Sequence, residues 1–102
     1  MNRLQLHEKL VDLLGSRNVY FQPPPSLQMN FPCFVYERAS GLTEYAEDMP
    51  YKYNQSYNIT YVSKDPDTEV MLKKIAMGFP MIRYNRHYTA NNLNHDTFIL
   101  YT

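Results

Sequence analysis

The sequence has little of several residue types that would indicate particular classes of protein. Among 102 residues it has no tryptophan, one cysteine and three glycines, and its ten basic and ten acidic residues leave no net charge. The single Cys33 cannot form an internal disulfide, and its apolar neighbours predict a buried thiol. The missing basic excess argues against a domain that binds nucleic acid through its overall charge.

Long apolar runs and catalytic motifs are missing as well. No stretch approaches the roughly eighteen apolar residues of a membrane-spanning helix. Residues 1–14 carry charges where a secretion signal would be apolar, so we expect a protein made in the cytoplasm. The sequence has no phosphate-binding glycine loop, no nucleophile elbow and no zinc motif. We therefore expect a protein that is not an enzyme and holds no cofactor or metal.

Tyrosine, in contrast, is abundant, and four of the ten tyrosines lie in the alternating stretch 51–63. The alternation places Tyr57, Ile59 and Tyr61 on one face, which predicts a half-buried β-strand. At roughly 3.3 Å per residue this stretch would span about 40 Å, which is longer than a usual strand. One end is therefore expected to project beyond the body of the domain.

Other patterns predict two helices and three further strands. Asn2 and Gln5 form a candidate capping box, and Asp65 followed by Pro66 is the expected start of the second helix. We predict helices at 3–14 and 66–77, strands at 31–39, 51–63, 81–89 and 97–102, and a short extended piece at 18–22 before three prolines.

The resulting element order, α-β-β-α-β-β, predicts the class of fold. Such a chain folds most economically as a small α+β domain, here residues 1–102, with a mostly antiparallel sheet of four to five strands and both helices packed on it. The connection 40–50 contains Glu44, Glu47 and Asp48 and is too long for a tight hairpin, so we expect a projecting acidic loop. The Asn-rich link 90–96 is typical of a turn.

Two constellations suggest chemistry, and each has a simpler interpretation. His87, His95 and Asp96 carry metal-ligand side chains, but a hydrogen-bonded turn explains them with fewer requirements. Tyr84, Arg86 and Tyr88 alternate aromatic and basic residues as in sheet-based binders of single-stranded nucleic acid. Cross-strand pairing and subunit contact explain the same residues.

Five stretches together carry a resemblance to a known family. The chain resembles small proteins encoded among the head and tail morphogenesis genes of tailed bacteriophages and prophages of Gram-positive bacteria, and it is similar to their tail terminator, or tail completion, proteins. The stretches are VYFQPPP at 19–25, FPCFVYE at 31–37, the tyrosine strand from Tyr51, KDPDTE at 64–69 and RHYTANNLNHDTFILY at 86–101.

The resemblance implies a structural virion protein. Proteins of this kind have an antiparallel sheet flanked by helices and form a homohexameric ring that caps the tail tube and offers a docking surface for the head connector. The implied partners are further copies of the chain, the tail tube protein and the head-closure proteins. The implied location is the head-tail interface of the virion. Neither a membrane nor sequence-specific nucleic acid is implied, although the lumen of such a ring can pass DNA.

Two alternatives to this function stay open, as does the exact surface used for assembly. The chain is alternatively another neck or head-closure protein or, in a different class, a small sheet-based nucleic-acid-binding domain. For the ring, we expect subunit contacts in the acidic loop, at the start of the long strand and on the strand near residue 86. The expected interface residues are Tyr45, Glu47, Asp48, Tyr51, Tyr53, Arg86 and His87.

Overall fold

Two helices and a five-stranded sheet make up the fold in a computed structural model. The structure describes residues 2–46 and 49–101, with side chains for residues 2–39 and 55–101. The α+β class and the two helices on one sheet are as predicted. The elements are α1 (Arg3–Leu14), β1 (Val19–Phe21), β2 (Cys33–Ala46), β3 (Met49–Ser63), α2 (Glu69–Gly78), β4 (Ile82–Ala90) and β5 (Leu93–Tyr101).

The sheet is mixed because it contains one parallel pair. The strand order is β1-β2-β3-β5-β4, and every neighbouring pair is antiparallel except β1 with β2, where Val19 lies opposite Phe34. The short extended piece predicted at 18–22 is thus an edge strand. Proline cannot donate to a ladder, so Pro23, which directly follows Gln22, is compatible with a strand this short at the edge.

The hydrophobic core lies between one face of the sheet and both helices. Tyr57, Ile59 and Tyr61 of β3 are all at most 6% exposed, which confirms the predicted face of this strand. Both helices contribute to the same cluster, so the other face of the sheet carries no helix among the described residues. The buried core residues are Leu6, Leu10, Val19, Phe34, Tyr36, Tyr57, Ile59, Tyr61, Ile75, Phe79, Phe98 and Leu100.

Helix α1 has the predicted bounds and caps. The Asn2 side chain accepts from the backbone N–H of Gln5, and the Gln5 side chain accepts from the backbone N–H of Asn2, both at 2.9 Å. Gly15 ends the helix with a φ of 79°, a left-handed conformation that glycine adopts without strain. Leu6 and Leu10 are fully buried, as expected for residues one turn apart on the apolar face.

Helix α2 begins three residues later than predicted. Asp65 does not cap it, because its side chain accepts from the backbone N–H of Asp67 at 2.9 Å and closes a separate turn. Thr68 is the N-cap residue and makes no side-chain capping bond. On this helix Val70 is 76% exposed, whereas Ile75 is fully buried.

The prediction of a loop at 40–50 is wrong. Strand β2 continues to Ala46 and β3 begins at Met49, so residues 40–46 and 49–50 lie in strands, whereas residues 47 and 48 lie outside the described residues. A thin two-stranded ribbon exposes both faces and therefore has the polar composition of a loop, which explains the error. Strand β2 also begins at Cys33 rather than at residue 31.

The link predicted at 90–96 is reduced to a two-residue turn. Asn91 and Asn92 have φ of 54° and 61°, and Ala90 lies opposite Leu93. Two left-handed residues in a row match the twist of a hairpin, and asparagine tolerates this conformation. Strand β5 therefore starts at Leu93, and Asp96 belongs to a strand instead of a turn.

Replacing Ile59 tests the predicted core face. Ile59→Asp places an unpaired charge at a position with 0% exposure, and we expect it to cost about 3 to 5 kcal/mol and to abolish folding. The measurement is urea unfolding followed by circular dichroism. Thr60→Asp is the matched control, because Thr60 lies on the opposite face and is partly exposed. A folded Ile59→Asp variant would contradict the assignment of the core.

Cys33 provides a test of burial through pH. Burial raises the pKa of its thiol from the ordinary value of 9.0 to about 11. Since the folded-state pKa lies above the unfolded value, this contribution to stability is complete below pH 9 and is lost as the pH rises toward 11. We expect stability in urea to fall more steeply over this range in the parent than in Cys33→Ala. At pH 8 the folded parent should resist iodoacetamide, and equal slopes with rapid alkylation would show an accessible thiol.

Candidate interaction surface

Strands β2 and β3 continue as a two-stranded hairpin beyond the end of β5. The last residue of β5 to pair with β3 is Tyr101, opposite Ser56. Pairing between β2 and β3 goes on from Gly41 opposite Gln55 to Ala46 opposite Met49. We call residues 41–46 and 49–55 the hairpin arm. No third strand flanks it among the described residues, so the prediction that one end of the tyrosine strand projects is confirmed.

Two β-bulges interrupt the pairing near the arm. Between Arg38 and Gly41 one additional residue lies on β2, and between Glu44 and Tyr45 one additional residue lies on β3. A bulge bends the strand and increases its local right-handed twist. The arm is therefore set off from the sheet by one bulge and divided by a second.

The arm contains several of the predicted interface residues. Tyr45 lies on β2, and Tyr51 and Tyr53 lie on β3. The side chains of these three tyrosines lie outside the described residues, as do Glu47 and Asp48 altogether. Their predicted contacts with a partner stay predictions.

Strand β4, which carries Arg86 and His87, is the edge strand on the side away from β2. Every residue from Arg83 to Ala90 is exposed. In the order of the sheet, β5 lies between β4 and the strands of the arm. Within one subunit the two sets of predicted interface residues are therefore on different sides of the sheet.

A bulge changes which side chains of β4 share a face. Tyr84 pairs with Phe98 and Arg86 pairs with Thr97, which leaves Asn85 as an additional residue. Tyr84 consequently faces the helices, whereas Arg86 and Tyr88 face the open side of the sheet. The prediction that these three residues alternate on one face is wrong.

On the open face, three side chains form a stack. The Tyr88 ring lies parallel to the His95 ring, with centroids 4.6 Å apart and an interplanar angle of 11°. The Arg86 guanidinium carbon lies 4.9 Å from the centroid of the Tyr88 ring. The stack borders a shallow apolar cavity of about 320 Å³, lined in part by Phe31 and Val62. This face thus offers a flat aromatic and cationic surface.

Asp96 is the centre of a hydrogen-bonded cluster on the helix face. Its carboxylate is only 2% exposed. Oδ1 lies 2.8 Å from Nδ1 of His87 and accepts from the Tyr84 hydroxyl at 2.9 Å. Oδ2 accepts from the Thr68 hydroxyl at 3.3 Å. A buried carboxylate requires such partners, and these link β4 and the start of α2 to β5.

Tyr84 is held in its protonated form by this environment. Burial raises the pKa of its hydroxyl above the ordinary value, and the hydrogen bond to Asp96 and the negative charge of that carboxylate raise it further. The hydroxyl therefore donates to the carboxylate throughout the physiological pH range. This bond explains why Tyr84 belongs to the structural cluster and not to the open-face stack.

The three residues considered for a metal site do not converge. His87 and Asp96 are on the helix face, whereas His95 is on the open face, stacked on Tyr88. Within residues 2–46 and 49–101, no group of three or more His, Cys, Asp or Glu side chains is arranged to hold a metal ion. The same residues include no helix that is long and apolar enough to span a membrane.

Comparisons with known proteins add no family to this description. No protein-family model matches the chain, and no curated protein shows significant similarity to it.

Sequence reasoning missed Thr68 and the whole free edge of β4. Thr68 was not predicted as the N-cap residue of α2 because Asp65 and Pro66 give a stronger helix-start signal. The edge position of β4 depends on the strand order. One signal was available, since Asn91 and Asn92 between two alternating stretches indicate a two-residue hairpin and hence a longer β5.

Asp96→Ala tests whether the cluster stabilises the fold. Removal of the carboxylate leaves three donors without their partner, so we expect unfolding to become easier by about 2 kcal/mol. Urea unfolding measures this change. The control is Asn94→Ala, two residues away on the same face of β5, with an expected change within about 0.5 kcal/mol. Equal midpoints for both variants would show that the cluster contributes no net stability.

Proposed function

We propose that this chain is a ring-forming structural subunit of a tailed-bacteriophage virion, a tail terminator that caps the tail tube and presents a docking surface to the head connector. The phage setting comes from the resemblance at 19–25, 31–37, 64–69 and 86–101. The structural support comes from one observation: within the described residues, the hairpin arm has no third strand beside it and β4 has no strand on its outer side.

These surfaces are the hairpin arm and the free edge of β4. The arm extends β2 and β3 beyond Ser56, where β5 no longer accompanies them. Strand β4 lies at one edge of the sheet, separated from β3 by β5, and is exposed along almost its entire length. Since the two surfaces differ, a contact between them would be heterologous. Heterologous contacts close into a ring when the rotation between subunits divides the circle.

The remaining features agree with a structural role. The chain has a formal charge of zero, so little repulsion opposes self-association. In the polar cluster both oxygens of the Asp96 carboxylate are hydrogen-bonded, and the bonds join β4 and the start of α2 to β5, as a structural network does. We expect a homohexamer whose partners are the tail tube protein and a head-closure protein, located at the head-tail interface of the virion. A neighbouring neck protein would use the same surfaces.

A second function is favoured by one specific observation. The stack of Arg86, Tyr88 and His95 on the open face is the kind of surface on which single-stranded nucleic acid bases stack. Tyr84 does not take part, and the neutral chain offers no general attraction to phosphate. Binding of single-stranded oligonucleotides that weakens steeply with salt would favour this function over the ring.

The double variant Tyr51→Ala, Tyr53→Ala tests the ring. Both positions lie in the arm, so we expect normal folding by circular dichroism. Interface tyrosines commonly contribute about 2 kcal/mol each, so the loss of two should weaken each contact by roughly a thousandfold. Native mass spectrometry should show a ring for the parent and monomers for the variant.

Tyr57→Ala is the matched control for this experiment. Tyr57 lies on the same strand but is 4% exposed in the core, so its truncation should destabilise the subunit itself. Unfolding of the double variant would assign Tyr51 and Tyr53 to the core. Unchanged ring formation by a folded double variant would remove the arm tyrosines from the assembly contact.

A further inference from the structure

The free edge of β4 is unusually open for an edge strand. It has nine residues, and β5 is its only partner among the described residues. Natural edge strands are usually shortened, interrupted by proline or covered, since an open edge recruits other strands. Strand β4 has no proline and is exposed from Arg83 to Ala90. Its evident protections are the bulge at Asn85 and its charge, with Arg83 and Arg86 and no acidic residue.

The hairpin turn determines which backbone groups are available. In a two-residue turn the flanking residues, here Ala90 and Leu93, form a hydrogen-bonded pair, and pairs then alternate along the ladder. His87 opposite Asp96 and Thr89 opposite Asn94 are therefore non-hydrogen-bonded positions. Their N–H and C=O groups point away from β5 toward the free side, where an added strand would bind them.

The stretch 41–55, which runs through both strands of the arm, has the opposite charge in the sequence. Residues 41–55 contain three acids, Glu44, Glu47 and Asp48, and one base, Lys52, for a formal charge of −2. Residues 82–90 have a formal charge of +2 with neutral histidine. Contacts between two arms or between two β4 edges bring like charges together, whereas a contact between an arm and an edge pairs opposite charges.

We infer that the free edge of β4 binds the hairpin arm of a second copy of this chain, which adds to the sheet as a further strand. This inference rests on the proposed function and identifies the contact between neighbouring subunits of the ring. Backbone hydrogen bonds supply the pairing, as in other cases of strand addition, and charge selects the partner. Each subunit gives one arm and receives one, so every contact in the ring is equivalent.

Thr89→Pro tests the backbone contact. Proline removes an N–H that points to the free side and leaves the ladder with β5 complete, a position where edge strands tolerate proline. Thr89→Ala is the matched control, because it shortens the side chain and keeps the N–H. We expect parent-like circular dichroism for both variants, rings for Thr89→Ala, and association at least about tenfold weaker for Thr89→Pro in native mass spectrometry and sedimentation.

Charge reversal tests the choice of partner without a change in backbone. One variant reverses the charge of the edge, with Arg83→Glu and Arg86→Glu, and another reverses the charge of the stretch 41–55, with Glu44→Lys and Glu47→Lys. We expect each variant alone to be monomeric, because its arm and edge then carry the same sign. A variant with all four changes should recover rings, and an equal mixture of the two single-surface variants should form mixed rings with both kinds of subunit.

The outcomes separate this inference from the proposed function. Normal ring formation by the Thr89→Pro variant or by the edge-reversed variant would overturn the arm-to-edge contact and leave a ring protein with a different interface. A second outcome is that the four-change variant forms no rings although its circular dichroism matches that of the parent. This would overturn the role of charge in partner choice and with it the assignment of the arm. A parent that stays monomeric at every concentration measured would overturn both.

Discussion

The packing of Tyr36 is the interaction on which the arrangement of the other elements depends. Its side chain is fully buried, with ring centroids 4.9 Å from Phe21 and 6.2 Å from Tyr57. Its hydroxyl is hydrogen-bonded to Nδ1 of His7 at 2.8 Å, and burial raises its pKa. A buried hydroxyl without a partner is costly, so α1 is tied to the register of β2. A slip of one residue would turn Tyr36 to the open face and separate these elements.

The same register extends β2 and β3 past the body of the domain. The residues from Tyr57 to Ser63 lie between two strands and under the helices, whereas the arm has only its own two strands. An isolated hairpin is at best marginally stable in water, and a third strand is the usual remedy. The arm would therefore be stabilised by a third strand, and the exposed backbone groups of β4 are of the kind that an added strand binds. Strands β2, β3 and β5 already use both of their edges, and β1, the other edge strand, has only three residues.

Local signals in the sequence predicted the parts of the fold that local physics determines. The period of two in 51–63 and the capping box of Asn2 and Gln5 both identify their elements correctly, because few other structures produce these patterns. The start of α2 could not be found this way, since Asp65 is as suitable for a turn as for a cap. The faces of β4 depend on the bulge at Asn85, which the pairing with β5 creates. The sequence predicted that the tyrosine strand projects and that Arg86 and His87 take part in contacts, but it did not predict that β4 is an edge strand, because an edge is a property of strand order.

One β-bulge lies at the start of the arm and a second lies within it, and together they affect the geometry of any assembly. Two-stranded ribbons twist more strongly than wide sheets, and each bulge adds to the right-handed twist. A strand paired to the arm follows this twist, so the sheet to which that strand belongs is rotated out of the plane of the first. Successive sheets joined in this way cannot stack into a flat, continuous ribbon of the amyloid kind. Coiling of the arm therefore disfavours a flat stack of sheets, and a heterologous contact with such a rotation closes into a ring or continues as a helical filament.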